Sequence, residues 1–300
     1  MIRSLISSFS NRISSWIIGS TPSTSNFLVI GFNGSNLFVA INSDLKTYTS
    51  PDGITWSQAS TGTAPVVPKE IAYSGTTFTI VGHDFNTGYP AIATSTDGGK
   101  NWTNRGAAGF GSSDTVMSVC WSGTYLVAVS TLGRIVTSTS AGSSWTQRYN
   151  DSTKSFNCVA YGGGIYVAIG YNYMATSTNG TTWTNRDSNR PFNYVESVAY
   201  GDSKFVAVGG NGKIATSSDG ITWTERASPF SPFSMESVTY ADGKFVAVGS
   251  GGKIGTSTDG ITWVLSESPV TTTLLDVIYG VNKFVAIGNS KVVITSPTGL

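Results

Sequence analysis

Residues 196–226, ESVAYGDSKFVAVGGNGKIATSSDGITWTER, return almost unchanged at residues 236–266 as ESVTYADGKFVAVGSGGKIGTSTDGITWVLS. Each copy divides into short runs rich in β-branched and aromatic residues. In the first they are Glu196–Tyr200, Lys204–Gly209, Lys213–Ser217 and the stretch from Trp223 to Arg226. Gly, Asn and Asp punctuate them, so they read as strands joined by tight turns. We label them A, B, C and D in chain order. The copies start 40 residues apart, the length of a four-stranded propeller blade, and nothing between them has room for a helix.

The end of each copy carries a signature that extends the repeat over the whole chain. It occurs as Ser50-Pro-Asp52-Gly53-Ile-Thr-Trp56, then as Ser95-Thr-Asp97-Gly98 with Trp102 one residue late. Ser138-Thr-Ser140 with Trp145, Ser177-Thr-Asn179-Gly180 with Trp183, Ser217-Ser-Asp219-Gly220 with Trp223, and Ser257-Thr-Asp259-Gly260 with Trp263 follow. A seventh begins at Ser296-Pro-Thr298-Gly299 and runs out at Leu300. This last copy has A, B and C (Leu274–Tyr279, Lys283–Gly288, Lys291–Ser296) but no D. Ser14-Ser-Trp16-Ile-Ile18 matches the missing strand. The reading is therefore an all-β, seven-bladed propeller of four-stranded antiparallel blades over residues 14–300, closed by the N-terminal strand, which removes the open edges. Seven of the eight tryptophans are then signature residues. Trp121 stands where other A strands carry Tyr73, Tyr161, Tyr200, Tyr240 and Tyr279.

The Ser-x-Asp-Gly-x-x-Trp signature resembles the Asp-box (BNR-like) repeats of sialidase-type propellers and of photosystem II assembly-factor propellers. Repeats of this kind also look like those of phage virion and tail-associated propellers. The resemblance implies that the box is a structural hairpin between strands C and D. Physical reasoning agrees: an Asp before Gly caps turn amides while Gly takes positive φ, and each Trp contributes a large buried apolar surface. Asp52, Asp97, Asp219 and Asp259 are thus scaffold rather than a metal or catalytic array. Ser140, Asn179 and Thr298 keep an oxygen acceptor at that position while discarding the charge.

Composition narrows the function classes. The net charge is +1 and only 12% of residues are charged, so no footprint for nucleic acid appears. No stretch reaches the length of a transmembrane helix, and no cofactor motif is present. Cys120 and Cys158 occupy neighbouring A strands at offset positions; we expect two buried thiols facing opposite sheet faces rather than a disulfide. Residues 1–13 lack the continuous apolar core of a secretory signal. They place Ile2, Leu5, Ile6, Phe9 and Ile13 at helical spacing. Two readings stay open for them: a frayed or cleaved terminus, or an amphipathic segment that docks on the propeller or a partner.

A sialidase resemblance implies three arginines gripping a carboxylate and a Tyr–Glu pair. Of the eight arginines, Arg105, Arg148, Arg186 and Arg226 repeat one outer-strand position, and Arg3 and Arg12 lie in the terminal segment. Arg134 and Arg190 are too few. The family's Arg-Ile-Pro element has no counterpart. His83 is the only histidine. Glu70, Glu196, Glu236 and Asp276 fall near the starts of innermost strands, hence near the central channel, where a glycosidase-like carboxylate pair would have to sit; repetition accounts for them better. We read the chain as a non-enzyme.

Propeller topology puts the B–C turns and the D-to-A crossovers on one face, and this face carries the irregular sequence. Departures from a repeat concentrate where function does. The candidates for ligand contact are His83, Phe85, Tyr89, Tyr149, Tyr171, Tyr173, Phe192, Tyr194, Phe230 and Phe233; Phe110 and Phe156 also lie in crossovers. Aromatics among Asn, Ser and Asp suit a sugar or a peptide. The function expected is a binding or structural module of a virion or phage tail, otherwise of a cell surface or extracellular space, engaging other virion proteins or a host surface glycan or protein. The alternatives are a sialidase-like glycoside hydrolase and an assembly-factor-like chaperone. Against the last stand the absence of a lumenal or lipoprotein signal and of an arginine-rich stripe.

Overall fold

The computed structural model describes residues 16–59, 62–106 and 109–300. They form seven four-stranded antiparallel sheets, each ordered A-B-C-D. Blade 5, for example, consists of Val195–Gly201, Lys204–Gly209, Ile214–Ser217 and Thr224–Arg226. Each A strand packs beside the next, and blade 7 returns to blade 1, so the A strands wall a central channel. The D strands form the rim.

Closure occurs as the repeat requires. Ile17–Ile18 pairs antiparallel with Val293–Thr295 as the fourth strand of blade 7, Ile17 opposite Thr295 and Ile18 opposite Ile294. Trp16, only 2% exposed, anchors it in a cluster with Val246, Val248 and Ile254 of blade 6 and Leu274 and Phe284 of blade 7. The segment expected at residues 1–13 lies outside the described residues.

Apolar clusters fill the gaps between blades. Val206, Val208 and Ile214 of blade 5 meet Val238 and Phe245 of blade 6. Glycine at the end of strand A makes room for the neighbouring ring: a Cβ on Gly201 would lie 1.9 Å from the Tyr240 ring. Trp121 packs at the corresponding place beside Leu126. Around the channel, a side-chain oxygen of one A strand accepts an amide N–H of the next. Val159 donates to Ser118 at 3.2 Å, Val238 to Ser197 at 3.2 Å, and Ile30 to Asp276 at 3.1 Å.

The Asp boxes are scaffold. Asp52 accepts from the amides of Ile54 and Thr55, both at 2.8 Å, and from the Ser50 hydroxyl at 2.9 Å. Asn179 makes the same bonds to Thr181 and Thr182, and Ser140 accepts from Ser144. Trp56, Trp145, Trp183 and Trp263 donate Nε1–H to the box glycine carbonyl three residues back. Trp102 instead donates its Nε1–H to Thr47 Oγ1 of blade 1. The Nε1 atoms of Trp16 and Trp223 are buried without a partner among the described residues.

Both cysteines are free thiols. Cys120 packs against blade 4 and Cys158 against blade 5, so they point to equivalent faces rather than opposite ones. Their repeat positions differ by two residues, which preserves strand parity. Burial pushes the Cys120 thiol up to about 12, with the Glu70 charge adding to it, and burial likewise raises Cys158.

Candidate functional site

The site is built from the starts of the seven A strands. In six blades the strand bulges there, leaving Leu28, Lys69, Met117, Glu196, Glu236 and Leu275 as the extra residues. A bulge re-aims a side chain, and with Asn157 of blade 4 these line a cavity of about 180 Å³. One residue further along, Glu70, Ser118, Cys158, Ser197, Ser237 and Asp276 form a deeper ring of the same cavity. Their partners on the B strands lie just before the B–C turns, so the cavity belongs to the irregular face.

Four carboxylates thus face the channel with one lysine. Burial, then the charge of Asp276, pushes Glu70 well above the usual carboxylate range. Burial raises Asp276 despite hydrogen bonds from Ile30, Ser237 and Val277. Burial and the Glu236 charge raise Glu196. The sequence placed all four near the channel; the structure separates them into two rings, with Glu196 and Glu236 at the bulge and Glu70 and Asp276 below it. Lys69, Met117 and Asn157 were missed, although they align with Glu196 in the repeat. Among the described residues no three of His, Cys, Asp and Glu are placed to hold a metal ion.

The expected ligand-face residues divide. Phe85 and Tyr89 are exposed at the tip of the long B–C hairpin of blade 2, where Asp84 caps the turn through Asn86 and Thr87. His83 is half-buried beside them; burial and the Lys69 charge lower its pKa, and its Nδ1 has no partner among the described residues. Tyr171 and Tyr194 are exposed and meet with ring centroids 4.7 Å apart, beside a groove containing Pro191, Asn193, Lys213 and Glu225. Phe233 is exposed, with the Lys253 ammonium 4.7 Å above its ring.

The other candidates are structural. Phe192 and Phe230 are buried, as are Phe110 and Phe156. Phe230 sits between blades 5 and 6, its ring centroid 5.8 Å from that of Trp263. These rings plug the open ends of inter-blade clusters where the crossovers return. Tyr149 and Tyr173 are half-buried around Lys154, which lies 4.7 Å from the Tyr173 ring and is paired with Asp187.

Among the described residues no arginine triad faces the channel. Arg134 pairs with the buried Asp114 at 2.9 Å, and Arg190 donates to the Asp187 carbonyl. Arg105, Arg148, Arg186 and Arg226 each donate Nε–H to a strand C threonine. The fold sets these four at the repeated outer-strand position of successive blades 2–5, an arc of guanidinium groups along the rim.

The molecule is thus a seven-bladed propeller of BNR-like repeats. The family model of the photosynthesis system II assembly factor YCF48 matches residues 14–254, and the chain belongs to that family. No curated protein matches the sequence. Among solved structures, YCF48 from Cyanidioschyzon merolae is 18% identical, with a TM-score of 0.71 over 94% of this chain and 98% of that one. YCF48 bound to D1 peptide is 17% identical, with a TM-score of 0.73 over 94% and 95%. A catalytically inactive virginiamycin B lyase from Staphylococcus aureus with quinupristin is 11% identical, with a TM-score of 0.78 over 94% and 98%. At these identities the likeness shows the fold.

Proposed function

We propose that this protein is a non-catalytic binding propeller of the assembly-factor kind, which holds a segment of a partner protein on its irregular face. Family membership and the D1 peptide on a structural neighbour support this reading over a virion or glycan-binding role. The arc of four outer-strand arginines removes one objection to it. The observation that carries it is the placement of five exposed aromatics, Phe85, Tyr89, Tyr171, Tyr194 and Phe233, on the face that holds the acidic cavity. Rigid rings give contact area at low entropic cost, and four carboxylates against one lysine favour a positively charged segment.

Fluorescence anisotropy with labelled 15-residue peptides, one set lysine- and arginine-rich with apolar residues and one set acidic, tests the proposal beside a glycan array. The basic set should bind, and Tyr194→Ala with Phe233→Ala should weaken binding by roughly tenfold or more. Glycan binding without peptide binding, or an unchanged affinity in the double variant, would sink it.

A further inference from the structure

The rim changes character around the ring. In blades 2–5 the outer strands read Thr103-Asn-Arg105, Thr146-Gln-Arg148, Thr184-Asn-Arg186 and Thr224-Glu-Arg226. Such polar, basic edges discourage pairing with other strands. At the same places blades 6 and 7 carry Val264-Leu265-Ser266 and Ile17-Ile18-Gly19. Val264 is 63% exposed and Ile18 61%, and Leu265 and Ile17 are exposed with them. These blades are neighbours, and strand alternation turns Val264 and Ile18 toward the gap between them, while Leu265 faces blade 5 and Ile17 faces blade 1. A groove of about 380 Å³ runs between strand D of blade 6 and Leu300.

The chain itself supplies a cover. Trp16 and Leu300 share one apolar cluster, so the residues before Trp16 join the fold beside this groove. Those residues place Ile2, Leu5, Ile6, Phe9 and Ile13 at helical spacing. Thirteen residues wound as a helix span about 20 Å, longer than an outer strand of three residues at about 10 Å. The family match begins at residue 14.

We propose that residues 1–13 dock their apolar side in the gap between the outer strands of blades 6 and 7, over Val264, Ile18 and Leu300. Arg3 and Arg12 make the segment cleavable by trypsin. The full chain is compared with Ile18→Thr/Val264→Thr, whose exposed positions keep the strands and leave melting unchanged. Because proteolysis follows the population of the undocked form, cleavage after Arg12 should be on the order of tenfold faster in the double variant. In the full chain, hydrogen exchange at residues 264–266 should be slower than in a chain lacking residues 1–13, at every protein concentration. Equal cleavage of wild type and variant overturns the proposal. So does protection of residues 264–266 that fades on dilution, which would assign the surface to a second copy, or that persists without residues 1–13.

Discussion

At the scale of single residues, the Asp box separates charge from geometry. Asp259 accepts from the amides of Thr262 at 2.7 Å and Ile261 at 2.8 Å and from the Ser257 hydroxyl. These bonds lower its pKa to about 2 from 3.8. In the unfolded chain the group protonates first as pH falls, so its contribution is complete above about pH 4 and is lost between there and pH 2. Asp259→Asn should keep the turn, as Asn179 does, and flatten that acid slope in a denaturant titration; Asp259→Ala should cost about 1 kcal/mol at neutral pH, by analogy with helix caps. The boxes were legible because Ser140 and Asn179 show chemically what survives substitution. Phe230 was not. An aromatic in a crossover reads the same whether it faces solvent or core, and the clue lay elsewhere: Gly255 stands where strand C of blade 5 has Ala215, and a Cβ there would fall 2.2 Å from the Phe230 ring.

At the scale of elements, the two-residue strand Ile17–Ile18 does work out of proportion to its length. It completes blade 7, and Trp16 seals the cluster shared with blade 6. Its recognition needed only an unfinished repeat at one end and a spare Trp at the other. Truncation separates the roles of the N-terminal region. A chain beginning at residue 14 should fold with a cooperative melt. Trp16→Ala in the full chain should lose about 3–5 kcal/mol, the cost of emptying a buried aromatic site. A melt of Trp16→Ala superimposable on wild type would contradict the sealing role. The A-strand bulges went unread by contrast, although the extra residue breaks the two-residue alternation and leaves buried Val195 and Val198 three positions apart.

For the whole molecule, the ring form imposes a cost at its centre. Seven inner strands converge, and their carboxylates share one confined space. The charge of Asp276 on blade 7 adds to burial in raising Glu70 of blade 2, across blade 1. In the unfolded chain Glu70 ionises at its ordinary value, but in the fold it holds its proton to higher pH. Below about pH 4 both states are protonated and nothing differs; as pH rises, the unfolded chain loses its proton first and stability falls. Glu70→Gln should therefore match wild type near pH 3.5 and melt higher at pH 7. If the cavity serves a cationic segment of a partner, the same change should weaken the basic peptides. An equal melting difference at both pH values would show that the effect is not one of ionisation.

The sequence by itself determined the number of blades, the closing strand and the structural status of the Asp boxes. These follow from local patterns repeated in register, where each copy checks the others. It also placed four carboxylates near the channel. Only the tertiary structure decided which aromatics face outward and that the carboxylates form two tiers. Those properties depend on where separate blades meet, and a repeat describes a blade rather than the ring its copies close.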